Sequence, residues 1–121
     1  MMASLSTLPV AEWWDSRTSA DRAAARRTFA KMASGTGFMT DLRQASAAHS
    51  AYRASVLRSL PCATLVTASR HDGGVSFARA EDFMRTIPDV RLVDTGAHSH
   101  FFWLGPARHT VSAAIRAFMA E

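Results

Sequence analysis

Residues 63–105 most narrow the choice of fold, because two short β-branched, apolar runs flank one amphipathic helical segment. The first run, ATLVTAS, ends in Arg70-His71-Asp72 and a Gly73-Gly74 turn. SFARAEDFMRTI follows, and it sets Phe77, Ala80, Phe83, Met84 and Ile87 at the spacing of one helical face. Pro88-Asp89 interrupts that helix, VRLVD forms the second run, and Gly96 leads into His98-Ser99-His100. Strand, helix, strand in this order predicts parallel neighbours joined by a right-handed crossover. Asp72 then emerges at the same carboxyl edge as the histidines, the edge where open α/β sheets place ligands and chemistry.

These residues resemble the C-terminal end of an α/β-hydrolase, the superfamily of esterases, lipases, haloperoxidase-like enzymes and C–C bond hydrolases. In that family the catalytic acid follows a strand read as P-T-L-V-x-x-x-x-x-D. The catalytic His follows the next strand, often as G/S-H with an apolar patch behind it. Ala63-Thr64-Leu65-Val66 through Asp72 matches the first pattern, with Ala63 at the family's usual Pro and Pro61 close by. Ser99-His100-Phe101-Phe102-Trp103-Leu104-Gly105 matches the second, and the interval from Asp72 to His100 fits the family's arrangement. The likeness covers residues 58–120 and is weaker before them.

The resemblance implies an α/β fold and a serine-type hydrolase lineage acting on an ester, amide or C–C bond. Asp72 would hold the His100 imidazole in its working tautomer, and His100 would be the general base. A helical cap precedes the acid-bearing strand in many of these proteins, and residues 9–60 resemble one. Trp13 and Trp14 of that region, with Phe101 and Trp103 beside His100, would then contact a small apolar substrate. No cofactor and no metal are implied.

The residues also admit plainer readings. Asp72 before Gly73 is a common turn pair. His98 rivals His100 as the base, although the Phe-Phe-Trp-Leu-Gly that follows favours His100. An H-x-H segment with Asp72, His71 and His109 is also a zinc-like set, but no second ligand cluster accompanies it. The family's nucleophile sits in G-x-S-x-G at a strand-to-helix elbow, and this sequence contains no such motif. Ser34-Gly35-Thr36-Gly37 is the nearest fragment, and Ser69, Ser76 and Ser99 lie near the presumed site without an elbow's context. The chain therefore reads as a C-terminal fragment that works only with a nucleophile-bearing half. The alternative is a non-catalytic remnant used for interaction or oligomerisation.

A length of 121 residues allows one domain, and 48% hydrophobic with 20% charged residues describes a globular chain. The resemblance divides it into a flexible lead-in (1–8), the cap-like helices (9–60) and the hydrolase-like part (61–121). In the cap-like region Pro9 suits the first turn of a short helix, and Ser19 reads as the N-cap of a helix over 20–33. Further helix is expected over 38–60, with a break near His49-Ser50. Val111, Ala114, Ile115 and Phe118 predict a final helix covering the sheet.

Cys62, the single cysteine, is expected as a buried thiol at a strand start. The net charge of +4 is spread along the chain, and all basic residues but Lys31 are Arg. Without a basic block or interleaved aromatics, no nucleic-acid partner is expected. No apolar run approaches a membrane span and no signal pattern opens the chain, so a cytoplasmic protein without a membrane partner is expected. Homo-oligomerisation is possible through an open sheet edge.

Overall fold

The structure, a computed structural model, describes residues 6–7, 9–31, 36–44 and 49–121. Among them the chain is mixed α/β, with six helices and one two-stranded parallel sheet. The order is α1 (Val10–Asp15), α2 (Ser19–Lys31), α3 (Thr36–Gln44), α4 (Ser50–Arg58), β1 (Thr64–Ala68), α5 (Phe77–Thr86), β2 (Val90–Asp94) and α6 (Ala107–Met119). No helix among the described residues is long and apolar enough to cross a membrane.

The strand–helix–strand unit forms as its pattern predicts. β1 and β2 run parallel, with Thr64 opposite Val90 and Ala68 opposite Asp94. Two backbone bonds extend the ladder, Thr64 N–H to Asp89 O at 2.9 Å and Thr95 N–H to Ala68 O at 2.8 Å. α5 packs on both strands, with Ala80 and Ile87 buried. Pro88 explains where α5 stops, because it forces the preceding residue out of helical geometry. Ile87 is accordingly extended (φ −87°, ψ 129°). Met84, expected on the apolar face of α5, is exposed instead, and so is Ile115 of α6.

α1 and α2 pack beneath the loop that follows β2. Trp13, Ala25, Phe101 and Leu104 are buried together, with Val10, Trp14, Phe29 and Trp103 against them. Phe29 meets Phe101 edge-on, with ring centroids 4.9 Å apart. The Arg17 guanidinium lies over the Trp13 ring, and a Cβ on Gly105 would run into it. Gly105 also has φ +76°, a conformation that other residues adopt only at a cost. Glycine at this position thus serves both a turn and a close approach.

Several local expectations are corrected. Ser19 is the first helical residue of α2 rather than its cap. The Thr18 hydroxyl accepts the Asp21 N–H at 3.1 Å and donates to the Asp21 carboxylate at 2.9 Å. This is the three-residue spacing of a capping box, with Thr18 in the cap position. Residues 32–35 and 45–48, on which parts of the expected helices fall, lie outside the described residues, as do 1–5 and 8. Residues 6–7, within the expected lead-in, bond to the loop that carries Asp72. Ser6 forms an antiparallel bridge with Asp72, and the Thr7 N–H donates to His71 O at 3.0 Å. Cys62 is exposed, because it precedes the first paired residue of β1.

β1 is half-buried along its whole length, and among the described residues its second edge has no strand partner. An apolar strand with a bare edge invites pairing with another chain. Met119 and Ile115 add exposed apolar surface on α6. The purified chain is therefore expected to self-associate at micromolar concentration. Light scattering checks this, and a monodisperse monomer with sharp cooperative unfolding would contradict it.

Candidate functional site

The parallel register sets the site. Because β1 and β2 end side by side, the loops after Ala68 and Asp94 leave the sheet at one edge. Buried polar groups tie the two loops together. The Ser69 hydroxyl donates to Ala97 O and accepts the His71 N–H at 3.1 Å. Thr95 Oγ1 accepts the Ala97 N–H at 3.2 Å, and Ser99 Oγ accepts the Phe101 N–H at 3.2 Å. At the strand ends Arg70 pairs with Asp94 at 3.0 Å and stacks on Phe77. The Ser6 hydroxyl donates to His98 O, so the chain near its start reaches both loops.

These tethers bring Asp72 and His100 into contact. Asp72 Oδ2 lies 2.7 Å from His100 Nδ1. The other oxygen, Oδ1, accepts the N–H groups of Gly74 at 2.7 Å and Val75 at 2.9 Å. Turn residue and imidazole partner are therefore one and the same carboxylate, each role served by its own oxygen. The Asp72 side chain is 11% exposed and that of His100 40%, so the acid is shielded while the base is open. His98 does not take this place, since its ring lies beside His71 with centroids 6.2 Å apart. Among the described residues no three His, Cys, Asp or Glu side chains gather as a metal-binding group.

The carboxylate's surroundings oppose one another. Burial pushes the Asp72 carboxyl up, whereas the bond to His100, the Val75 and Gly74 N–H groups and the His100 charge pull it down. The pull prevails, and Asp72 is held below the usual carboxylate value. A depressed folded pKa means that the unfolded chain binds the proton more readily. The resulting stability is fully present above the unfolded pKa and is lost as pH falls through the folded one. Asp72→Asn keeps an oxygen for the Gly74 and Val75 N–H groups but loses the charged bond. It is expected to cost about 1–2 kcal/mol near neutral pH, a value discounted for the half-open histidine. Urea unfolding across acid pH checks the sign, since the deficit should shrink as the wild-type carboxylate protonates.

Aromatic residues seat the base. Phe101 and Trp103 meet the His100 ring edge-on, at centroid distances of 6.0 and 6.4 Å. The four aromatic residues expected to touch a substrate are placed differently. Trp13 and Phe101 are buried in the core, and Trp14 and Trp103 lie half-buried at its margin. None of the four lines the cleft beside the pair, which is walled by Val66, Val75, Phe83 and Phe102. The reason is that the apolar residues of α1 and α2 pack on Phe101 and Leu104 of the loop that follows β2. The indole N–H of Trp103 is buried without an acceptor among the described residues.

Ser69 and Ser99 are 4% and 1% exposed and engaged with backbone, whereas Ser76 is exposed at the start of α5 and borders the cleft. Sequence reasoning missed the Ser69 tether and the pairing of residues 6–7 with the acid loop. A Ser directly after an apolar strand is the only trace of the former, and nothing in the sequence marks the latter. The arrangement as a whole gives an imidazole whose Nδ1 is engaged by a carboxylate and whose Nε2 has no partner among the described residues. Such a ring can take a proton at Nε2 while Asp72 stabilises the charge that forms. No family model, curated protein or solved structure matches the chain.

Proposed function

We propose that this chain carries the acid and base of a serine-hydrolase site of the α/β-hydrolase kind, acting on an ester, amide or C–C bond. Asp72 orients and charges the imidazole, and His100 Nε2 accepts the nucleophile's proton and returns it to the leaving group. The nucleophile comes from a G-x-S-x-G segment outside this sequence, which packs against the bare edge of β1. The observation that carries this reading is the 2.7 Å contact of Asp72 Oδ2 with Nδ1 of His100, both residues following adjacent parallel strands. That contact engages Nδ1 and leaves Nε2, the nitrogen a triad uses, without a partner among the described residues.

A second reading has the fold acting as an interaction or oligomerisation module without catalysis. The unpartnered β1 edge favours it. One experiment separates the two. The tagged chain is isolated from its native host with whatever it binds, and the complex is treated with a fluorophosphonate probe. Labelling of a serine in a G-x-S-x-G segment, dependent on His100 of this chain, supports the hydrolase reading. An unlabelled complex, or labelling indifferent to His100, overturns it. The isolated chain should take up no label and should hydrolyse activated esters no faster than the denatured chain, because it brings no nucleophile.

A further inference from the structure

The cleft beside Asp72 and His100 shares lining residues with a second groove. Arg79 and Phe83, one turn apart on α5, line both of them. The groove lies between α4 and α5, and its apolar wall is Tyr52, Val56 and Leu57. Tyr52 is 70% exposed and Val56 41%, so this wall faces solvent. A guanidinium thus sits on a residue shared by the cleft at the Asp72–His100 pair and a groove with one apolar wall.

The charges around that junction are unevenly matched. Arg79 is exposed, and among the described residues its side chain makes no hydrogen bond or ion pair. Arg85 is engaged with Asp82 and Arg70 with Asp94. The two carboxylates that line the cleft and the groove are also engaged. Asp72 is taken by His100 and by the N–H groups of Gly74 and Val75, and Asp82 by Arg85. Arg85 at the groove is matched by Asp82, which leaves the Arg79 charge at the junction unmatched. The junction therefore favours an anion, and a planar guanidinium matches a carboxylate with two parallel bonds.

We propose that the site takes an amphiphilic carboxylate, its anionic group on Arg79 and its alkyl or aryl arm in the groove between α4 and α5. The substrate's reacting bond then lies in the cleft at His100. This last placement rests on the hydrolase reading, whereas the binding itself does not. Arg79 provides the charge recognition, and Val56, Leu57 and Phe83 supply the apolar contact that a short polar anion cannot use.

The probe is decanoate, with decanol as its uncharged counterpart, both below micellar concentration. Binding is followed by amide chemical shifts and calorimetry on the full chain. Decanoate is expected to bind more tightly than decanol and to shift residues of α4 and α5. Arg79→Leu should weaken decanoate by about tenfold or more, as a lost charge-assisted bond requires, with decanol unaffected. Arg79→Lys, which keeps the charge but not the fork, should fall between. Arg79 is exposed, so an unchanged unfolding midpoint is expected to certify the variants; if Arg79→Leu unfolds, Arg79→Lys and the decanol comparison carry the test. Decanol binding as tightly as decanoate would overturn the proposal, as would an Arg79→Leu chain that folds and binds decanoate undiminished. Serine labelling that depends on His100, together with no decanoate binding, would remove this proposal and leave the hydrolase reading standing. Decanoate binding without such labelling would do the reverse.

Discussion

His100→Ala in the native complex is expected to slow fluorophosphonate labelling of the partner serine by about 10⁶-fold, the cost of losing a triad's base. The size follows from chemistry, because an unassisted serine hydroxyl stays protonated and is a weak nucleophile near neutral pH. Asp72→Asn should cost about 10⁴-fold by another route. Its amide can present N–H to Nδ1, which moves the ring proton to Nε2 and leaves no lone pair there to accept the serine's proton. His98→Ala is the control, since His98 stacks near His71 and does not touch Asp72. Rates are read from the time course of labelling at fixed probe concentration. Equal losses at His98 and His100 would reject the assignment of the base, and an unaffected Asp72→Asn would reject that of the acid.

The part of the fold that positions this pair was legible because it is encoded locally. The period of SFARAEDFMRTI, the break at Pro88 and the two β-branched runs each specify one element, and parallel pairing follows from their order. Register places the loops of Asp72, His98 and His100 at one edge, and the structure pairs Asp72 with His100. The seating of the pair was not legible. The Ser69 bond to Ala97 O joins residues far apart in sequence, and the bridge of Ser6 to Asp72 spans half the chain. Such bonds leave no periodic trace. Hydrophobicity alone does not separate two roles at Trp13 and Phe101, which the structure buries in the core. An aromatic residue near a candidate base reads the same whether it faces a ligand or packs behind the base. Met84 and Ile115 show the converse, apolar residues in helical register that this structure leaves exposed.

Phe101→Ala is expected to cost about 3–5 kcal/mol, as for other fully packed aromatic side chains. Phe101 is 2% exposed and lies among Trp13, Ala25 and Leu104, with Phe29 edge-on at 4.9 Å and Trp103 at 5.2 Å. Its truncation leaves a hole that α2 cannot close without moving off the loop. A domain of this size has about 5–15 kcal/mol of stability in total. The large buried side chains are few, Trp13, Ile87, Phe101, Leu104 and Val111 among those described. The variant should therefore unfold at much lower urea or lose cooperative unfolding altogether. Phe102→Ala is the comparison, because its ring is half-buried and borders the cleft. It should cost about 1–2 kcal/mol, in line with partial burial. Phe101 also supports the His100 ring edge-on, so Phe101→Ala should release the imidazole from Asp72 even where the chain still folds. Nitrogen chemical shifts of His100 report that release, by moving from one fixed tautomer toward the average of a free ring. A Phe101→Ala chain with the parent's midpoint and the parent's His100 tautomer would show that the base is held by its backbone and Asp72 alone.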